Sequence, residues 1–430
     1  MSKTNSILNL IGIQDENTKL IEKNPIKTSG PNEIIYATLT YQPQGCCKCG
    51  IKNDGSIIIK YGTKTSRITL SGLEKNRYLV LKKQRFQCKA CGQTFIAQTS
   101  VVDKYCYIAN QVKRKSLDLS RETICKTTNA RLCPISEATV QRICNAEALK
   151  YKEYGQRLPS NIGIDEFRYR NQTMAFDYID NDSGNILGIL PNRRIKDIKD
   201  HFYNRYNLKE RKKVQTVTTD LNAGYIHMIP ELFPNATIIL DRFHLVQLMV
   251  RALDRTRIKV INRLKKGNNT DQKRYRRLKR YGKMLKLKSK DISFTNYKLY
   301  YLFGYFTAQM IVDKLLAYDE LLKRTWEVYQ CFMRTVDQRD GVAMSTLIHT
   351  NWSGISPFMH KSLRTLKKYS HLLTNAIESP YSNGLIEGTH NTIKRMTHNG
   401  CGYRNIENLS NRILIMNNLK TKSKKLPYNT

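Results

Sequence analysis

Short alternating stretches of apolar and polar residues, such as Ser56-Ile57-Ile58-Ile59-Lys60, run through residues 41–100 and predict strands of a small sheet. Residues 1–40 carry few features and read as a lead-in with some helix. Between 105 and 152 the apolar period lengthens to that of a helix, and Cys133-Pro134-Ile135-Ser136 splits the pattern in two, with Ser136 as the N-cap of the second helix. Strand signals return over Ile162–Tyr169, Thr173–Ile179, Asn185–Leu190, Val214–Thr219 and Ala236–Leu240, with a helical stretch at Lys196–Asn207. Three strands, a helix, a strand, a connection and another strand predict a mixed α/β sheet over 158–245. From 246 to 375 the strand signals disappear and helical spacing takes over, for example from Tyr297 to Leu322. This predicts a helical insertion, with a basic tail at 421–430.

Charge changes this picture. The chain has 73 Lys+Arg against 35 Asp+Glu, a net charge of +38, and so large an excess repels itself unless a polyanion lies against it. Nucleic acid is the expected partner. The excess peaks at Arg251–Lys290, with 17 Lys/Arg against two Asp, which reads as a phosphate-contacting surface rather than a merely solvated face. In that light the two predicted helices of 105–152 form a helix-turn-helix whose Thr139, Gln141 and Arg142 enter a major groove; a helical hairpin used only for packing is the alternative. No run of about eighteen apolar residues is present and the N-terminus lacks a secretory pattern, so a soluble, cytoplasmic, nucleoid-associated protein with no membrane partner is expected.

Cysteines in such a compartment point to metal or buried thiols rather than disulfides. Cys46-x-x-Cys49 and Cys88-x-x-Cys91, each followed by Gly, predict a zinc ribbon in which two tight turns close four thiolates around one Zn²⁺. Cys47 is a possible substitute for Cys46, but the spacing to Cys49 favours Cys46.

Three carboxylates stand out. Asp165 interrupts the apolar strand Ile162-Gly163-Ile164, and Asp220 ends Val214–Thr219, where α/β sheets place their sites. Glu387 lies in a predicted helix on which Asn391 and Lys394 fall within about 60° of it, opposite Ile386, Ile393 and Met396. Phosphodiester chemistry explains such a gathering: two Mg²⁺ (or Mn²⁺) ions about 4 Å apart activate an attacking oxygen and stabilise the departing one, and hard oxygen ligands suit them. Asp165 is the candidate bridge between the ions, Asp220 and Glu387 complete one each, and Lys394 positions a phosphate.

With IDEF at 164–167, TTDLNAGY at 218–225, FPNATIILDRFHLVQ at 233–247 and SNGLIEGTHNTIKRMTHNGCGYRN at 382–405, the chain resembles insertion-sequence transposases of the DDE type, most closely the ISL-three family, over nearly its whole length. The resemblance implies an RNase H-like core interrupted by a helical insertion and returning as its last part at 376–420, with the catalytic acids on Asp165, Asp220 and Glu387. It also implies that the zinc ribbon and helix-turn-helix bind terminal inverted repeats. The core then cuts there and joins the 3′ end to target DNA, in a homodimer or larger assembly. Asp241, three residues before His244, competes with Asp220 for the second metal; because related transposases carry an acid or cysteine at this place distinct from the second catalytic acid, Asp241 and His244 are assigned a supporting role. Trp326 or Trp352 would stack an unpaired base or fill the core.

Two rival functions fit parts of this pattern. A non-catalytic DNA-binding regulator needs the ribbon, the helix-turn-helix and the charge but leaves the acids unexplained. An RNase H-like nuclease uses the acids without joining ends.

Overall fold

The computed structural model describes residues 3–21, 23–72, 74–154, 157–170 and 173–418, so the tail read at 421–430 lies outside it. Contacts divide the chain into two units, Met1–Glu153 with Asn391–Thr430, and Tyr154–His390. Among the described residues no helix is long and apolar enough to cross a membrane.

The first unit opens with α1 (Lys3–Leu10) and a six-stranded sheet: β1 (Thr18–Leu20), β2 (Ile26–Ser29), β3 (Asn32–Leu39), β4 (Ile58–Leu70), β5 (Asn76–Cys88) and β6 (Thr94–Ile96). The strand order is β1-β3-β5-β4, with β2 on β3 and β6 on β5. Alternating residues Ile35, Leu39, Ile68, Leu70, Leu79 and Leu81 are buried on one face, which is the driving force expected of a half-covered sheet. Three helices follow, α2 (Asn110–Arg121), α3 (Lys126–Leu132) and α4 (Glu137–Tyr154). The sequence pattern led to one helix before Cys133; the structure has two, because the chain turns between Glu122 and Cys125 and the Cys125 sulfur caps the Thr128 N–H. Ser136 caps α4 as expected, its Oγ accepting from the Thr139 N–H at 3.2 Å.

The C-terminal helix Ile406–Asn418 belongs to this unit. Ile415 is buried among Leu117, Ala130, Val140 and Cys144. Buried Arg412 donates to the carbonyls of Ser120, Glu122 and Ile124 at 2.7–2.8 Å, satisfying the open end of α2.

In the second unit β7 (Asn161–Arg170), β8 (Thr173–Asp180) and β9 (Ile186–Leu190) form an antiparallel meander. Helices α5 (Ile195–Arg205) and α6 (Leu208–Arg211) lead to β10 (Thr216–Thr219), and α7 (Ala223–Leu232) leads to β11 (Thr237–Leu240). Both strands run parallel to β7 in the order β11-β10-β7-β8-β9. Ile162, Ile164, Val217 and Leu240 bury the sheet against the crossover helices through Ile198, Phe202 and Ile229.

The helical part comprises α8 (Arg242–Leu264), α9 (Asn269–Tyr281), α10 (Ala308–Leu316), α11 (Glu320–Gln338), α12 (Gly341–His349), α13 (Pro357–Lys368) and α14 (Ser370–Glu378), and α15 (Gly384–Asn399) follows. Leu245, Met249, Ala252, Leu253, Thr256 and Val260 line the buried stripe of α8 at the helical period. One feature departs from the pattern. β12 (Lys298–Tyr300) and β13 (Gly304–Phe306) form a hairpin where helical spacing was read, because alternating Tyr300 and Phe306 pack on the core while their neighbours face outward.

Candidate active site and metal centres

Strand register gathers the acids. Thr218 pairs with Gly163, and continuing two residues sets Asp220 beside Asp165; Thr219 pairs with Leu240, and one further residue sets Asp220 beside Asp241. On the other side Asp165 pairs with Asp177 of β8. Four acids therefore form a row, Asp241-Asp220-Asp165-Asp177, across four adjacent strands at one level of the sheet. Opposed residues in a ladder point to the same face, so the row presents its carboxylates together. Glu166, one step along β7, points away and is held by the Tyr225 hydroxyl at 2.6 Å and Arg193 at 2.5 Å.

The start of α15 covers the row. Buried Asn383 donates its side-chain N–H to Asp220 at 3.1 Å and its backbone N–H to Asp241 at 3.4 Å. One turn later comes Glu387, whose carboxyl is pushed up from its ordinary range by burial and by the charges of Asp241 and Asp220. His390, at the next turn, places Nε2 2.9 Å from Asp177 and Nδ1 3.5 Å from Asp165. His244, in the first turn of α8, sits 3.0 Å from Asp220 and 3.1 Å from Asp241, and hydrogen bonds to both raise it to about 10. Burial and the neighbouring Asp220 charge push Asp165 up to about 7.

Hard divalent cations take grouped oxygen donors, and the Asp220 charge is felt at the carboxyls of both Asp165 and Glu387. Asp220, Asp241 and His244 alone also bring one ligand atom each within 4.8 Å of one another. Asp241 is 3% exposed and bonded to Asn383 and His244, whereas Asp220 is more open. Asn391 and Lys394 are exposed on later turns of α15, in the part assigned to the first unit.

Asp177, Asn383 and His390 were not singled out from the sequence. Asp177 interrupts the apolar strand Thr173–Ile179 just as Asp165 interrupts its own, and that was the available signal. Pairing register is a long-range property that no local pattern carries.

The first unit holds the cysteine centre. Cys46, Cys49, Cys88 and Cys91 bring their sulfurs within 4.8 Å of one another, with Cys46–Cys91 at 3.8 Å and Cys49–Cys88 at 3.9 Å. A tetrahedral ion with metal–sulfur bonds of about 2.3 Å has sulfur–sulfur edges of about 3.8 Å, so the donors fit. The two knuckles are built alike. Gly50 N–H returns to the Cys46 carbonyl and Gly92 N–H to that of Cys88, and both glycines take the left-handed φ, +76° and +70°, that explains Gly after each pair. Backbone N–H groups of Cys49 and Lys48 lower the Cys46 thiol to about 6. Cys47 is exposed and outside the cluster.

Thr139, 8% exposed, bonds to Ser136 and receives the Arg142 guanidinium at 2.9 Å, so it serves the start of α4. Gln141 donates to Asn145. Trp326 and Trp352 donate to the carbonyls of Leu285 and Leu347 and pack on the core, which accounts for both indoles structurally.

A family model described as Transposase, for the ISL3 group, matches residues 162–413. Among curated proteins, the transposase for insertion sequence element IS1001 of Bordetella parapertussis is 22% identical over 336 residues, covering 76% of this chain and 78% of that relative. A protein of Lactococcus lactis subsp. lactis named as an ATP-dependent protease is 34% identical over 112 residues. That match covers 26% of this chain and 36% of the relative, so the chain spans little more than a third of it.

Proposed function

We propose, from the premise that the chain belongs to the ISL3 family of transposases, that it cuts DNA at the ends of an insertion sequence and joins the freed 3′ ends to target DNA. The carrying observation is the convergence of Asp165, Asp220 and Glu387, from two strands and a distant helix, on one end of a mixed sheet. The meander followed by two parallel strands supports an RNase H-like reading of that sheet.

In this reading Asp165, Asp220 and Glu387 hold Mg²⁺ or Mn²⁺. Such ions supply charge neutralisation at both the attacking and the departing oxygen of an in-line displacement at phosphorus. Asn383 fixes the Asp220 carboxylate, and Asp241 with His244 braces it from the side. Asn391 and Lys394 serve the DNA backbone. The cysteine centre holds Zn²⁺ and keeps the β4–β5 sheet in shape, while α2–α4, read as a helix-turn-helix, and the ribbon bind terminal inverted repeats. Net charge of +38 supports a DNA partner, and joining two ends calls for at least a homodimer. The protease name of the Lactococcus relative is not carried over: around Gly282-Lys283, residue 277 is Arg and residue 284 is Met, which does not match a phosphate-cradling G-x-x-x-x-G-K-[ST] loop.

The test is cleavage and strand transfer with DNA carrying the element's own ends, in Mg²⁺ and in its absence, comparing the intact chain with Asp165→Ala and Glu387→Gln. Metal-dependent nicking and joined product, lost in both variants while DNA binding persists, is the expected result. Binding without nicking in every protein would leave a regulator. Nicking without joining would leave a nuclease.

A further inference from the structure

The hairpin β12–β13 has one face too many. Its inner face is accounted for: Tyr300, Phe303 and Phe306 pack on the core, and Tyr281 stands edge-on to Tyr300 at 5.7 Å. Leu299 and Tyr305 form a cross-strand pair on the outer face and are 81% and 68% exposed. Tyr297 stacks on Tyr305 with centroids 5.6 Å apart and planes 20° from parallel, and Tyr301 at the tip is 66% exposed. A two-stranded hairpin that merely covered a core would turn polar residues outward. A contiguous exposed apolar patch marks an interaction surface.

The rim identifies the occupant. The Arg280 guanidinium lies 4.9 Å from the Tyr301 ring, and α9 behind the hairpin belongs to the segment with 17 Lys/Arg against two Asp. Aromatic faces set in strong positive potential match a ligand that is both polyanionic and flat. Paired DNA offers phosphates and groove edges but hides its base faces inside the stack. Only unpaired nucleotides present π-faces together with phosphates. The platform is also held in place, because Tyr281 donates to the Tyr301 carbonyl at 2.7 Å and Arg277 to that of Leu302 at 2.8 Å, the latter residue turning at φ +73°. Little ordering is left to oppose binding.

We propose that the outer face of this hairpin, Tyr297, Leu299, Tyr301 and Tyr305 with Arg280 at its rim, is a stacking platform for unpaired nucleotides of the DNA substrate. This rests on the DNA-processing reading above and gives the helical part a role that neither tryptophan fills.

The experiment measures anisotropy of a labelled oligothymidine and of a labelled blunt duplex with the full chain at fixed salt, comparing Tyr297→Ala/Tyr305→Ala with Tyr305→Phe. The expected result is roughly tenfold or greater weakening for the single strand in the double variant, no change for the duplex, and parental affinity in the phenylalanine variant. Equal loss for both probes, or no loss for either, overturns the platform. A shift of the double variant's oligomeric state without DNA also overturns it, since the face would then be covered by a second copy. If the parent chain binds neither probe, the DNA reading itself fails, which separates that failure from the hairpin's. Because the substituted rings are exposed, unchanged thermal melting of the variants checks that the fold is intact.

Discussion

Nε2 of His390 lies 2.9 Å from the carboxylate of Asp177, a fully buried acid in the middle of β8. This pair fastens α15 to the acid row one turn beyond Glu387, so it acts on the centre by positioning. Burial alone would lower the imidazole's pKa, but the carboxylates of Asp177 and Asp165 outweigh it and hold His390 above its ordinary range.

Asp177→Asn and His390→Asn are therefore expected to cut nicking by about 10–100-fold, the usual cost of losing an outer partner of a metal centre, while DNA affinity stays constant. A rise in the Mg²⁺ concentration needed for half-maximal activity distinguishes positioning from simple unfolding. Unchanged metal dependence would refute the assignment.

Asp165→Asn is expected to abolish cleavage and yet stabilise the metal-free chain. The amide keeps the shape and removes a buried charge facing Asp220. A gain of about 1 kcal/mol would raise the Tm of a chain of this length by roughly 1 °C, which calorimetry in chelator resolves.

The four-cysteine cluster should carry one equivalent of zinc, measurable by elemental analysis. Cys88→Ser is expected to lose the metal and lower Tm sharply, since metal binding contributes directly to folding of such small sheets. Cys47→Ser should leave both unchanged, as its thiol lies outside the cluster.

Arg412→Lys should fail to replace Arg412, because one ammonium cannot copy a planar fork reaching the carbonyls of Ser120, Glu122 and Ile124. Each buried carbonyl left without a donor costs about 1–3 kcal/mol, so urea unfolding of the variant should begin at clearly lower concentration.

His201 gives a pH signature. Burial beside Tyr178, and then the Arg205 charge, lowers its pKa from 6.5 to about 4. The folded state thus resists protonation more than the unfolded one. Stability from this group is full above about pH 6.5 and is lost as pH falls toward 4. His201→Gln should flatten the decline of Tm across that window.

Local chemistry was legible in the residues themselves. Cys-x-x-Cys-Gly recurring twice determined both knuckles, because sulfur spacing and a left-handed glycine are properties of five consecutive positions. Apolar periodicity likewise marked the strands that carry Asp165 and Asp220 and the helix that carries Glu387. Tertiary structure decided what periodicity cannot carry. It set the register that aligns Asp241, Asp220, Asp165 and Asp177, made Asp177 and His390 partners, and drew the Ile406–Asn418 helix to α2 through Arg412. It also turned Lys298–Phe306 into a hairpin, since local spacing fits helix and strand alike until packing chooses which rings are buried. Sequence determined which groups are able to bind metal and phosphate; pairing between distant strands and burial against distant helices decided which of them meet.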